Sequence, residues 1–150
     1  MSTMVNLPWH RLMDHGAEWH DTSVEIWRGM TPEEYAVMIT AVDEGRLIDV
    51  MDSWRARQRW AETGSTATPS DLTDSAKRNL VERFRDVVLG LIDRGWLEIR
   101  EPEDAPEPLK GARLQEALSD PASWIFSYDY DHRMVWPTTT DAWDRLVNVH

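Results

Sequence analysis

At 150 residues, with 27 acidic side chains against 16 basic ones and a net charge of −11, the chain suits one domain burying roughly 70% of its extended surface. Charge of that sign repels phosphate backbones and anionic membrane surfaces, and it favours basic partners or plain solubility. Cysteine is absent, which excludes disulfides, thiolate metal sites and thiol nucleophiles together.

Residues 1–30 mix helix-like and extended patches with no clean period, so the sequence leaves their packing on the body open. Trp9, His10, Arg11 and Asp14 interrupt any apolar core a signal peptide would need. The longest apolar run, residues 87–92, is too short to span a bilayer, so a cytoplasmic location and no membrane contact are expected. His10, His15 and His20 lie among Asp14 and Asp21, but a five-residue step turns each about 140° around a helix. The three cannot share a face, and only His10 with Asp14, at i,i+4, can meet.

From Thr31 the pattern sharpens. "TPEEY" offers Thr31 as N-cap, Pro32 at the first helical position, and Glu33 and Glu34 beside the positive helix end. Tyr35, Met38, Ile39 and Val42 then mark one apolar face, with Gly45 as the stop. A second helix begins near Arg46 with Leu47, Val50, Met51 and Trp54 on its stripe, and runs into "WRARQRW". There Arg55, Arg57 and Arg59, flanked by Trp54 and Trp60, form the one dense basic cluster. Arginine interleaved with aromatics stacks on rings or grips acidic groups; a solvated face paired with nearby acids is the plainer alternative. Residues 63–73, small, polar and proline-containing, read as an internal loop.

The third helix is capped at Thr73 or Asp74, buries Leu80, Phe84, Val87, Val88 and Leu91, and stops at Gly95. Its outer face carries Arg78, Glu82, Arg85, Asp86 and Asp93, a mixed set in which Arg78 and Glu82 are spaced to pair. "WLEIR" alternates like a half-buried strand, and "EPEDAPEPLKG" is an acidic, proline-rich loop. A short helix over residues 112–118 follows. "WIFSYDYDHRMVWP" has the pattern of a hairpin turning near Asp131 and His132, and "TTTDAWDRLV" that of a capped terminal helix.

Helix, helix, long helix, strand, hairpin, helix is the order of a winged helix-turn-helix domain. The stretches that carry the resemblance are "RNLVERFRDVVLGLIDRGWLEIRE" and, later, "RMVWPTTTDAWDRL". It covers residues 31–149 as a winged-helix-like body within a single 1–150 domain. It implies an α+β fold, mostly helical, with a small three-stranded antiparallel sheet, in which the strand at 96–100 pairs with the hairpin near 124–136. It also implies a transcriptional regulator that brings Lys77, Arg78 and Arg85 to DNA. The long loop before the third helix, the extra helix in the wing, and Asp129 and Asp131 at its tip depart from that pattern. A DNA wing wants Lys or Arg there.

Chemistry beyond binding finds little support. The glycines are isolated, so there is no phosphate-cradling loop or dinucleotide fingerprint, and no serine sits in a nucleophile elbow. Asp129, Asp131 and His132 lack a further local ligand for a hard cation. The expectation is therefore a small, acidic, non-enzymatic protein-binding module without cofactor or metal. Its composition is similar to that of immunity proteins, which cover a basic toxin; the alternative is the winged-helix regulator. Among nine tryptophans, Trp54, Trp60 and Trp136 are the anchor candidates, with Arg55, Arg57 and Arg59 beside the first two.

Overall fold

The structure, a computed structural model, describes residues 21–126 and 133–148. In chain order it has helices α1 (Asp21–Arg28), α2 (Pro32–Val42), α3 (Leu47–Thr63) and α4 (Asp74–Asp93), then strand β1 (Leu97–Arg100). Helix α5 (Gly111–Ser119), a single 3₁₀ turn (Pro121–Ser123), strand β2 (Trp136–Thr139) and helix α6 (Asp141–Val147) complete it. The fold is α+β and mostly helical, with a small antiparallel sheet.

Local signals set the helix starts. Thr31 Oγ1 accepts the Glu34 N–H at 3.1 Å while Glu34 Oε1 accepts the Thr31 N–H at 2.9 Å, a closed capping box ahead of Pro32. Thr73 caps α4 through the Ala76 N–H, and Thr140 caps α6 through the Trp143 N–H. Stops are equally local. Gly64 and Gly95 hold positive φ after α3 and α4. After α2 the left-handed residue is Glu44, at φ 60°, not Gly45. Gly45 is needed for space instead, since a Cβ there would lie 2.9 Å from Thr40 Cγ2.

Helix α2 is central. The one-faced stripe expected for it gives way to burial on most sides: Tyr35, Ala36, Val37, Met38, Thr40 and Ala41 are all buried between α3, α4 and β2, while Ile39 is half-buried and Val42 is 45% exposed. A helix enclosed by neighbours loses the polar face that amphipathic periodicity relies on. The buried Thr40 hydroxyl is satisfied by the Ala36 carbonyl at 2.7 Å.

On α4 the buried stripe is Lys77, Val81, Phe84, Val88 and Leu91. Phe84, Val88 and Leu91 fall as the sequence indicates, whereas Leu80 and Val87 are only partly buried against the core. The buried set alternates steps of four and three residues from Lys77 to Leu91, and Leu80 and Val87 flank that stripe. Aromatic rings tie the layers together. Phe84 lies 5.4 Å from Trp54 and 6.1 Å from Trp124, and Trp143 packs edge-on to Trp27 at 5.3 Å. Through Trp27, α1 joins the body.

The sheet differs from expectation. Among the described residues it has two strands, β1 and β2, antiparallel with Leu97 opposite Thr139 and Arg100 opposite Trp136. The expected first hairpin arm near Trp124 is instead the end of the 3₁₀ turn. Asp120 caps that turn through the Ala122 N–H, and the buried Trp124 donates Nε1–H to the Leu118 carbonyl at 2.9 Å. Pro121 and the Asp120 cap hold the chain in a turn where alternation alone suggests a strand. Asp129, Asp131 and His132 lie outside the described residues, as do His10, His15, His20 and Asp14.

Candidate functional site

Residues 54–60 of α3 turn out to serve the fold. Trp54 is 8% exposed and packs on Phe84, so its expected separation from the core is corrected. Its Nε1–H is buried without an acceptor among the described residues. Arg55 donates Nε–H to Asp71 at 2.7 Å, Arg59 reaches the same carboxylate at 3.8 Å, and Arg59 also donates to the Pro69 carbonyl. The Trp60 indole N–H binds the Thr68 carbonyl at 2.7 Å. Three side chains thus hold the connecting loop against the helix, and the Arg55 guanidinium keeps the Asp71 carboxyl below its ordinary pKa. Arg57 lies over the Tyr35 and Trp60 rings, at 5.0 and 5.1 Å from their centroids, bridging α3 to α2.

Two of the three residues that would face DNA are similarly committed. Lys77, 8% exposed, points inward and holds Asp52 at 2.8 Å; its expected place on a duplex-facing surface is corrected. The apolar environment of the α3–α4 seam draws in its methylene stem while Asp52 neutralises its head. Arg85 is paired with Asp86 at 3.1 Å and reaches Glu82 at 3.8 Å, taking the acid that the sequence suggests for Arg78. Arg78 is exposed. An α4 surface with one open cation among carboxylates supplies little phosphate affinity.

Trp136 stands apart. It is half-buried at the start of β2 and lines an open groove of about 250 Å³ with Pro137, Thr138, Thr139, Ala41, Glu44 and Glu103. Strand β2, laid across α2, supplies the floor, the turn after α2 supplies Glu44, and the acidic loop after β1 supplies Glu103. Both carboxylates are exposed, and neither has an ion-pair partner among the described residues. Nearby cations are already engaged. Arg100 donates to the Ala105 carbonyl and to Glu98 at 3.1 Å, and Arg46 lies 3.7 Å from Asp49 and touches Met134 Sδ.

The other concentration of charge is structural. Arg133 donates to Glu101 through Nε and Nη2 and, through Nη1, to Glu116 and to Asp120 at 3.2 Å, while its backbone N–H donates to the Ala122 carbonyl. Hydrogen bonds to those carboxylates, Glu101 first, raise its pKa and fix it as a cation that ties α5, the 3₁₀ turn and the approach to β2 together. No group of three or more His, Asp or Glu placed to hold a metal occurs among the described residues. No described helix is long and apolar enough to cross a membrane.

Of the sequence candidates, the groove contains Trp136 alone. Glu44 and Glu103 were missed because a lone acid in a turn and one of several in a proline-rich loop carry no pattern; only the fold brings them together. No family model, curated protein or solved structure matches the chain.

Proposed function

We propose that this protein is a small protein-binding module that holds a basic partner at the Trp136 groove. One observation carries the reading: an indole and two carboxylates with no counterion among the described residues line one open recess. A lysine or arginine entering it gains Coulomb attraction from Glu44 and Glu103 and an aromatic surface from Trp136, with the floor of Pro137 and the threonines limiting water. The role is of the kind immunity proteins play, occupying a basic surface of another protein and doing no chemistry on it. We take residues 31–149 as winged-helix-like in element order, with α4 in the position of the third helix and a loop plus α5 where a wing would project.

Fluorescence anisotropy with a short arginine-rich peptide tests the groove. Trp136→Ala leaves the net charge untouched, so a general attraction to a −11 protein survives it, whereas binding in the groove weakens about tenfold. Glu44→Gln and Glu103→Gln should each weaken binding more than Glu107→Gln, an exposed acid outside the groove. Equal affinities for wild type, Trp136→Ala and Glu107→Gln would overturn the reading. Titration with a labelled duplex at physiological salt should show no specific binding, and sub-micromolar affinity with a steep salt slope would favour the DNA alternative instead.

A further inference from the structure

All four residues of β2 line the groove, and the strand's outer edge carries backbone groups with no backbone partner among the described residues. Thr140 N–H donates to the Trp96 carbonyl at 3.1 Å. With Leu97 opposite Thr139 and Arg100 opposite Trp136, this sets the hydrogen-bonded pairs at Trp96/Thr140, Glu98/Thr138 and Arg100/Trp136. Alternation along an antiparallel ladder then turns Pro137 and Thr139 away from β1. Pro137 has no N–H, so the outward set is the Pro137 carbonyl, the Thr139 N–H and the Thr139 carbonyl. None of these has a backbone partner among the described residues. Upstream the edge is closed, because the Val135 carbonyl accepts the Leu47 N–H at 3.0 Å.

We infer that this edge takes the basic partner as a short extended segment, added beside β2 as a further strand, with a lysine or arginine seated beside Trp136 between Glu44 and Glu103. The inference rests on the groove reading above and names the form in which the partner arrives. One residue of the segment exchanges two hydrogen bonds with Thr139; the residue two positions along it donates to the Pro137 carbonyl. Side chains between and beyond these, alternating to the other face, run past Thr138 and Trp136. Charge selects the occupant. A second copy of this chain would bring the same two carboxylates against their equals, and its own Pro137 would again lack a donor. A short edge with a proline in the outward register resists pairing with itself. A basic segment meets neither obstacle. Arg100, which shares the Trp136 face of the sheet, stays bound to Glu98 and the Ala105 carbonyl and leaves the groove's charge unbalanced.

An alternating Arg-Thr peptide is the probe, compared with the same peptide N-methylated at alternate backbone nitrogens, with both N-methylation phases prepared. Methylation keeps every charge and removes ladder donors. Anisotropy should show one phase about tenfold or more weaker than the parent, the loss expected for two ladder bonds. Amide exchange at Thr139 should slow when the parent binds. Equal binding of parent and both methylated peptides, with Thr139 exchange unchanged, overturns strand addition while the sensitivity to Trp136→Ala keeps the groove reading standing. Failure of all three peptides to bind overturns both. A concentration-dependent dimer in sedimentation, with Thr139 protected and no peptide present, would assign the edge to a second copy and overturn the inference.

Discussion

Two parts of this molecule set tryptophan beside charge, and they use the combination in opposite ways. In residues 54–60 of α3 the cations are answered within the chain: Arg55 and Arg59 by Asp71, Arg57 by the faces of Tyr35 and Trp60. In the Trp136 groove the anions Glu44 and Glu103 have no such answer among the described residues. The first arrangement spends its electrostatics on holding a loop and a helix seam. The second leaves charge and aromatic surface open to solvent. Density of charged and aromatic residues in the sequence therefore does not separate the two, since a cluster is also what a fold needs to tie down a loop.

The sharpest way to break this contrast is to remove a ring from each side. Trp54→Ala should destabilise by about 3–5 kcal/mol, because it takes an indole from between Phe84 and the Arg83 side chain and leaves a cavity. Urea denaturation measures it. Trp54→Phe should cost far less, since the lost volume is partly offset by removing the indole N–H that is buried without an acceptor. A Trp54→Ala variant as stable as wild type would return Trp54 to the list of surface anchors.

Next in size is the α3–α4 pair. Asp52→Asn strands the Lys77 ammonium in the seam and should cost about 1–2 kcal/mol, discounted because the Asp52 side chain is 44% exposed. Lys77→Met should be nearly neutral, as an apolar chain of similar length removes the need for the carboxylate. The two variants separate a structural lysine from a duplex-binding one. If Lys77→Met folds normally but abolishes an otherwise measurable DNA affinity, the structural assignment fails.

Legibility in the sequence followed the range of the interaction. Thr31 as a cap, a cap at Thr73 or Asp74, a capped start within the terminal TTTD stretch, and Gly95 as a stop depend on neighbours within a turn and could be read directly. So could Phe84, Val88 and Leu91, because α4 has one buried stripe and an outer face in water. Helix α2 could not, since its burial is decided by what packs around it. The hairpin arm near Trp124 failed for a related reason: alternation suggests a strand, but Asp120 and Pro121 cap a turn that buries the same indole against α5. Trp136, beside a proline, could be read as less committed to the core and is half-buried, whereas Glu44 and Glu103 are about sixty residues apart in sequence and come to one groove only through the packing of α2 against β2.

A smaller effect belongs to the loop lock. Arg55, through its hydrogen bond, lowers the Asp71 pKa in the folded protein. A depressed carboxylate contributes stability that is fully present above its unfolded pKa and is lost as pH falls through the lower folded value. The loop after α3 should therefore loosen in the acid range below the ordinary aspartate pKa, ahead of global unfolding. Amide exchange or limited proteolysis at residues 64–72 across that range shows it. Asp71→Asn should produce the loosened loop at neutral pH and abolish the acid step. A loop equally protected in both proteins at all pH values would show that Trp60 and Arg59, through the carbonyls of Thr68 and Pro69, hold it without Asp71.

The smallest stability effect should come from Trp136→Ala, and its smallness is the point. Trp136 sits at the first position of β2, half-buried, with its cross-strand neighbour Arg100 anchored elsewhere by Glu98 and the Ala105 carbonyl. Cross-strand pairs of this kind contribute about 0.2–1 kcal/mol, so chemical denaturation should register a loss near that size, well below that of Trp54→Ala. Both variants remove the same indole, which makes the ratio of their costs a direct measure of how far each ring is committed to the fold. A residue kept for a partner should show a small folding cost together with a large binding cost, and Trp136→Ala is expected to show both in the arginine-rich peptide titration. If Trp136→Ala unfolds the protein as readily as Trp54→Ala, the indole is a core element closing the end of the sheet. The groove would then lose its aromatic wall as a binding feature, and Glu44 and Glu103 would be two solvated acids beside it.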